Sequence, residues 1–108
     1  MKTSELTGAA LDWAVTKCQG YSHDIEPTGE WGLWGWATDW AQGGAIIERE
    51  ISRLEDLGAD VWEASGYGHT QYGTTPLIAA MRCYVASRLG DEVELPRGLL
   101  NETLRGAQ

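Results

Sequence analysis

Apolar residues recur at Ala10, Leu11, Ala14, Val15 and Cys18, the spacing of one helical face. Thr7 stands where a cap belongs, Asp12 lies early, Lys17 lies near the end, and Gly20 is placed as a left-handed stop. Residues 7–20 therefore predict a helix. A second helix opens at Thr75-Pro76, with Thr as cap and Pro at the first position. Leu77, Met81, Tyr84, Val85 and Leu89 form its apolar face, and Gly90 ends it. Between the two, Tyr21 to Gly29 is turn-like, with a short strand expected over Tyr21 to Ile25. Thr38 or Asp39 caps a short helix through Trp40, Ala41 and Gln42, which Gly43-Gly44 should break or loosen before Ala45–Glu50 resumes it. Ile51–Leu54 and Val61–Ala64 predict strands joined by 55–60, the second with clean alternation in Val61-Trp62-Glu63-Ala64. Residues 65–75 read as a loop rich in glycine and aromatics, Asp91–Leu95 as a short strand, and Leu99–Leu104 as a weak helix. The layout is α+β: a small antiparallel sheet, two main helices packed on one face, and a short helix between strands. Residues 1–95 form the domain and 96–108 a tail.

Composition narrows the class. A chain of 108 residues buries a modest core. No apolar run approaches the roughly 20 residues of a membrane span, and no basic-then-apolar leader is present, so a soluble, cytosolic protein is expected. Sixteen acidic against eight basic residues give a net charge of -8, which disfavours duplex nucleic acid, whose binding rests on Lys and Arg. The acids are scattered among arginines, so the chain does not imitate a DNA backbone. Cys18 and Cys83 lack Cys-x-x-Cys spacing or a neighbouring His. Buried free thiols are expected, with no metal and no cofactor.

Catalytic patterns are absent from the sequence. His23 and His69 both fall in predicted loops, outside any Ser-His-Asp or Cys-His pattern. Glu48 and Glu50 do not share a face if their segment is helical. The expectation is a protein that binds rather than catalyses.

The binding chemistry concentrates around tryptophan. Four of six tryptophans, Trp31, Trp34, Trp36 and Trp40, fall within ten residues. Trp34 and Trp36 alternate among glycines, as on one strand face, and are the stacking candidates together with Tyr72. Trp40 is the core candidate. Asp39 and Gln42 offer polar recognition of base amines or ribose hydroxyls. Gly43, Gly44 and Thr75 offer backbone or hydroxyl contacts to an anion, and Arg82 reaches a phosphate if its face turns inward.

Three ordered segments carry a family likeness. Met1-Lys2-Thr3-Ser4-Glu5-Leu6-Thr7-Gly8-Ala9-Ala10-Leu11-Asp12-Trp13-Ala14-Val15 resembles the start of the phage NinX family. Thr38-Asp39-Trp40-Ala41-Gln42-Gly43-Gly44-Ala45-Ile46-Ile47-Glu48-Arg49-Glu50 resembles its central motif, and residues 75–93 its closing helix. Ala45 stands where a proline is usual, and the usual glycine after Glu50 is missing. The resemblance implies a small accessory protein of lambdoid phages, acting in the host bacterial cytoplasm; it supplies a setting rather than a mechanism. That setting directs the ligand reading toward a small nucleotide-type host defence signal, cyclic or ADP-ribose-derived, sequestered by a homo-oligomeric sponge. The alternative is a protein–protein interaction module that inhibits a host or phage protein.

Overall fold

A computed structural model describes residues 1–19 and 40–95. The expected strand at Tyr21–Ile25, the alternating Trp34 and Trp36, the Asp39 cap, the Gly20 stop and the tail helix lie outside the described residues.

The first helix forms where the stripe predicts it. After a short 3-10 turn at Thr3–Glu5, α1 spans Gly8–Cys18. Ala10, Leu11, Ala14 and Val15 are fully buried, and Cys18 is half-buried. Thr7 has the extended backbone of a cap, but its side chain makes no capping hydrogen bond.

Helix α2 runs unbroken over Trp40–Glu50, which corrects the expected break at Gly43-Gly44. Two glycines cost a helix roughly 1 kcal/mol each relative to alanine, but packing of one face outweighs propensity. Here that face carries Gly43, Ile46 and Glu50, all buried. Trp40 is not core: at the first position of α2 it remains 55% exposed, whereas Trp13 on α1, 7% exposed, joins the core. The indole at the helix start lies off the face that Gly43, Ile46 and Glu50 bury.

Three strands follow, β1 (Arg53–Gly58), β2 (Val61–Gly66) and β3 (His69–Gly73), antiparallel in the order β1-β2-β3. Strand β3 lies in the segment expected to be a loop. The cause is the two-residue turn at Tyr67-Gly68, whose positive φ of 51° and 80° closes a tight hairpin. Pairing then aligns Gly66 with His69, Ala64 with Gln71, Glu63 with Tyr72 and Trp62 with Gly73. Strand β1 also extends past its expected end, because Glu55 and Asp56 pair with Glu63 and Trp62 before a bulge at Leu57. One sheet face carries Leu54, Ala64, Gly66 and Gly73 toward the core, and the other carries Arg53, Glu55, Glu63 and Tyr72.

Helix α3 spans Pro76–Leu89, with the Thr75 hydroxyl accepting from the Ile78 amide at 3.1 Å and Gly90 as its left-handed end, φ 89°. The predicted apolar face is only part of what it buries. Ala79, Ala80, Cys83 and Ala86 are buried as well, so the helix is covered around most of its circumference. It lies across β2 and β3, while α1 and α2 pack against it. Among the described residues α1, α2 and α3 thus stand on one side of the sheet. The segment 91–95 forms only an isolated bridge, Lys2 with Glu92, flanked by hydrogen bonds between Met1 and Val93.

Two glycines set how closely the helices approach the sheet. A Cβ at Gly66 would lie 2.5 Å from the Glu50 carbonyl oxygen, and one at Gly73 would lie 2.6 Å from the Ala79 nitrogen. Both obstacles are backbone atoms, which no rotamer change relieves. Replacing Gly66 by Ala should therefore cost roughly 1–3 kcal/mol, the range for forced overpacking. A urea unfolding curve checks it, and an unchanged midpoint would show that the contact yields freely.

Candidate functional site

The hairpin and α3 together build a cleft of about 240 Å³ lined by Ser4, Asp60, Val61, Gln71, Tyr72, Gly73, Thr74 and Arg82. Asp60 enters from the β1–β2 turn, where its φ is 61°, a conformation that aspartate tolerates better than most residues. Val61 and Tyr72 stand on the outer sheet face, and Tyr72 is 49% exposed. Ser4 comes from the 3-10 turn before α1.

Arg82 ties these pieces together. Its Nε donates to the Leu6 carbonyl and its Nη1 to the Tyr72 carbonyl, each at 2.7 Å. A guanidinium carries five N–H donors, so these two bonds hold it in place and leave further donors. Among the described residues no carboxylate pairs with it. Burial pulls its pKa below the ordinary arginine value, yet arginine titrates far too high for this to remove the charge at neutral pH. The result is a fixed cation in a cleft that the exposed Tyr72 also lines.

Of the sequence candidates, Tyr72 and Arg82 converge on this cleft. Thr75 lies two residues from Gly73, but its hydroxyl is occupied in capping α3. Gly43 and Gly44 fall in the body of α2, so they do not form the exposed turn expected to present N–H groups to an anion. Helical amides beyond the first turn bond to carbonyls four residues back, and Gly43 is buried. Gln42 also lies in α2, its side chain outside what the structure describes; Trp34, Trp36 and Asp39 lie outside the described residues. Sequence reading placed Thr74 with Thr75 at the helix start as a possible anion contact, and missed Ser4, Asp60, Val61, Gln71 and Gly73. The signal for those on the sheet was the Gly66-Tyr67-Gly68-His69 turn, which fixes the register; nothing local marks Ser4.

A second polar cluster lies where α2 meets α3. The buried Glu50 carboxylate accepts from Arg49 Nε at 2.8 Å and Arg88 Nη2 at 2.9 Å. Arg88 also stands 5.4 Å from the Tyr84 ring centre. The Tyr84 hydroxyl accepts from Gln19 at 2.7 Å and donates to the Cys18 carbonyl at 3.4 Å. Tyr67, Ser87 and Arg88 line a cleft of about 340 Å³ beside it. Here every charge has a partner, so the cluster reads as a clamp between helices rather than a reactive site. Burial also pushes the thiols of Cys18 and Cys83 up to about 11, which keeps both protonated and unreactive at neutral pH.

The family assignment rests on a match covering most of this architecture. The model of the family described as Bacteriophage P22, NinX matches residues 2–88. The chain belongs to the phage NinX family. The matched span runs from the 3-10 turn to the last residues of α3 and takes in every described residue lining the Arg82 cleft. No curated protein matches the chain. Among the described residues no helix of this NinX-family chain is long and apolar enough to cross a membrane. Among those residues, too, no group of three His, Cys, Asp or Glu converges as a metal site.

The Glu50 clamp makes stability depend on pH. Hydrogen bonds from Arg49 and then Arg88 hold its carboxyl below the ordinary glutamate value, against the upward push of burial. A depressed carboxyl stabilises fully above its unfolded pKa, about 4.3, and loses that contribution as pH falls through its folded value. The stability gap between wild type and Glu50→Gln should be widest at neutral pH and close in acid. Urea midpoints measured across that range check it, and a constant gap would contradict it.

Proposed function

We propose that this NinX-family chain works by non-catalytic binding, capturing a phosphate or the flat base of a small nucleotide-type ligand at the Arg82 cleft. The observation that carries this reading is Arg82 itself: half-buried, fixed by two carbonyls, with no carboxylate partner among the described residues, and adjoining an exposed Tyr72. A cation that has lost part of its hydration without gaining a counter-charge favours an anion. A base stacked on Tyr72 adds sequence-tolerant affinity, and the hydroxyls of Ser4 and Thr74 offer hydrogen bonds at the rim.

Size constrains the ligand. Pockets that enclose a whole small molecule measure about 300–1,000 Å³, and this cleft is about 240 Å³. It takes one base or one sugar-phosphate moiety, with the rest of the ligand outside. That fits a cyclic mononucleotide or one end of an ADP-ribose derivative better than a cyclic dinucleotide held entire. In a phage accessory protein such capture amounts to sequestering a host defence signal in the host cytoplasm. The interaction-module reading draws on the exposed Leu57, Val61 and Tyr72, three apolar side chains on or beside the outer sheet face.

Thermal unfolding against cyclic mononucleotides, cyclic dinucleotides and ADP-ribose separates these readings. A true ligand at a hundred times its Kd should stabilise the fold by about 2.7 kcal/mol. Tyr72→Ala, at an exposed site, should keep the fold and weaken binding by the roughly 1–3 kcal/mol of a lost base stack. Absence of any shift across the panel would overturn nucleotide capture and leave the interaction module.

A further inference from the structure

Among the described residues the sheet has an unpaired edge opposite the Arg82 cleft. Strand β1 is bonded, among the described residues, to β2 on one side only, and its other side carries a row of open backbone groups. We propose that this edge seats a second copy of the chain, β1 pairing antiparallel with β1 of the partner about a two-fold axis at Leu54.

The register follows from geometry and charge. A two-fold axis perpendicular to the sheet keeps each side chain on its own face, so it must pass through a residue rather than between two. Regular pairing is available only from Arg53 to Asp56. Ser52 is tied to the Ser65 carbonyl at 2.9 Å, and the bulge at Leu57 distorts the strand beyond Asp56. Centring on Arg53 would oppose Arg53 to itself, and centring on Glu55 would oppose Glu55 to itself, both unfavourable. Centring on Leu54 places Arg53 opposite Glu55 of the partner subunit and Glu55 opposite the partner's Arg53. It also sets the two Leu54 side chains together on the core face, where Leu54 already packs against the core.

Charges and bulges on an edge strand usually block such pairing. Here the bulge lies outside the window, and the charges are complementary about Leu54. Arg53 already holds the Glu55 carboxylate of its own strand, so pairing closes a ring of four alternating charges. The dimer joins the sheets into six strands in the order β3-β2-β1-β1-β2-β3, with α1, α2 and α3 of each copy on one side and both Arg82 clefts at the outer ends. So short a contact predicts a weak, concentration-dependent dimer.

Sedimentation velocity on the full chain, from micromolar to millimolar concentration, tests the proposal. Wild type should show reversible monomer–dimer exchange. Glu55→Arg should weaken it at least tenfold while keeping the fold, since Glu55 faces Glu63 across the β1–β2 pair and the reversal relieves that repulsion. Adding Arg53→Glu to that variant should restore the dimer by exchanging the charges across the axis. Glu55→Gln should give an intermediate loss and serves if Glu55→Arg fails to fold, with circular dichroism checking each variant. A monomer throughout, or a dimer indifferent to charge reversal and not rescued by the exchange, would overturn it.

Discussion

Everything described in this fold leans on α3. A helix covered around most of its surface must find a partner on every side, and Pro76–Leu89 finds three. The sheet lies against Ala79 and Cys83, with α1 and α2 packed on the helix as well. Small residues make this arrangement feasible: Ala79, Ala80 and Ala86 on the helix, and Gly66 and Gly73 on the sheet. With no Cβ on those two glycines, the sheet approaches the Glu50 and Ala79 backbones directly. Close packing at native density leaves little room to vary that distance.

That distance positions the candidate site. Arg82 projects from α3 between the 3-10 turn and β3, reaching the carbonyls of Leu6 and Tyr72 together. A larger gap between helix and sheet would break at least one of those bonds. Arg82 is therefore both a strut and a cation in the cleft, which is why a side chain with five donors suits the position better than lysine. At the other end of the fold, the Glu50 clamp fastens α2 to α3 through Arg88, with Arg49 of the same helix beside it. One charge system holds helices and is fully paired. The other holds a sheet edge and, among the described residues, pairs with no carboxylate.

The sequence carried the helices clearly, because periodicity and caps are local. Thr75-Pro76 and Gly90 bracket α3 without any knowledge of its partners. It did not carry the packing of α3, since an all-round apolar helix has no distinct face to read. The glycines misled twice for opposite reasons. In α2, Gly43 serves burial and does not end the helix. At Tyr67-Gly68, glycine closes a turn, so the residues after it return as β3 instead of wandering as a loop. Trp40, expected in the core, stands exposed because the buried face of α2 runs through Gly43, Ile46 and Glu50. Of the candidate site, Tyr72 and Arg82 were legible as an aromatic and a cation. Their meeting was not, because it depends on a hairpin register and a helix–sheet distance that no local pattern encodes.

Amide hydrogen exchange tests the place of α3 most directly. If the other elements depend on it, the amides of Met81 to Val85 exchange only when the whole molecule unfolds. Their opening free energy then equals the global value from urea unfolding, while β1 and the start of α2 open earlier. Exchange in α3 that is faster than in β2, through openings well below the global free energy, would contradict its central role.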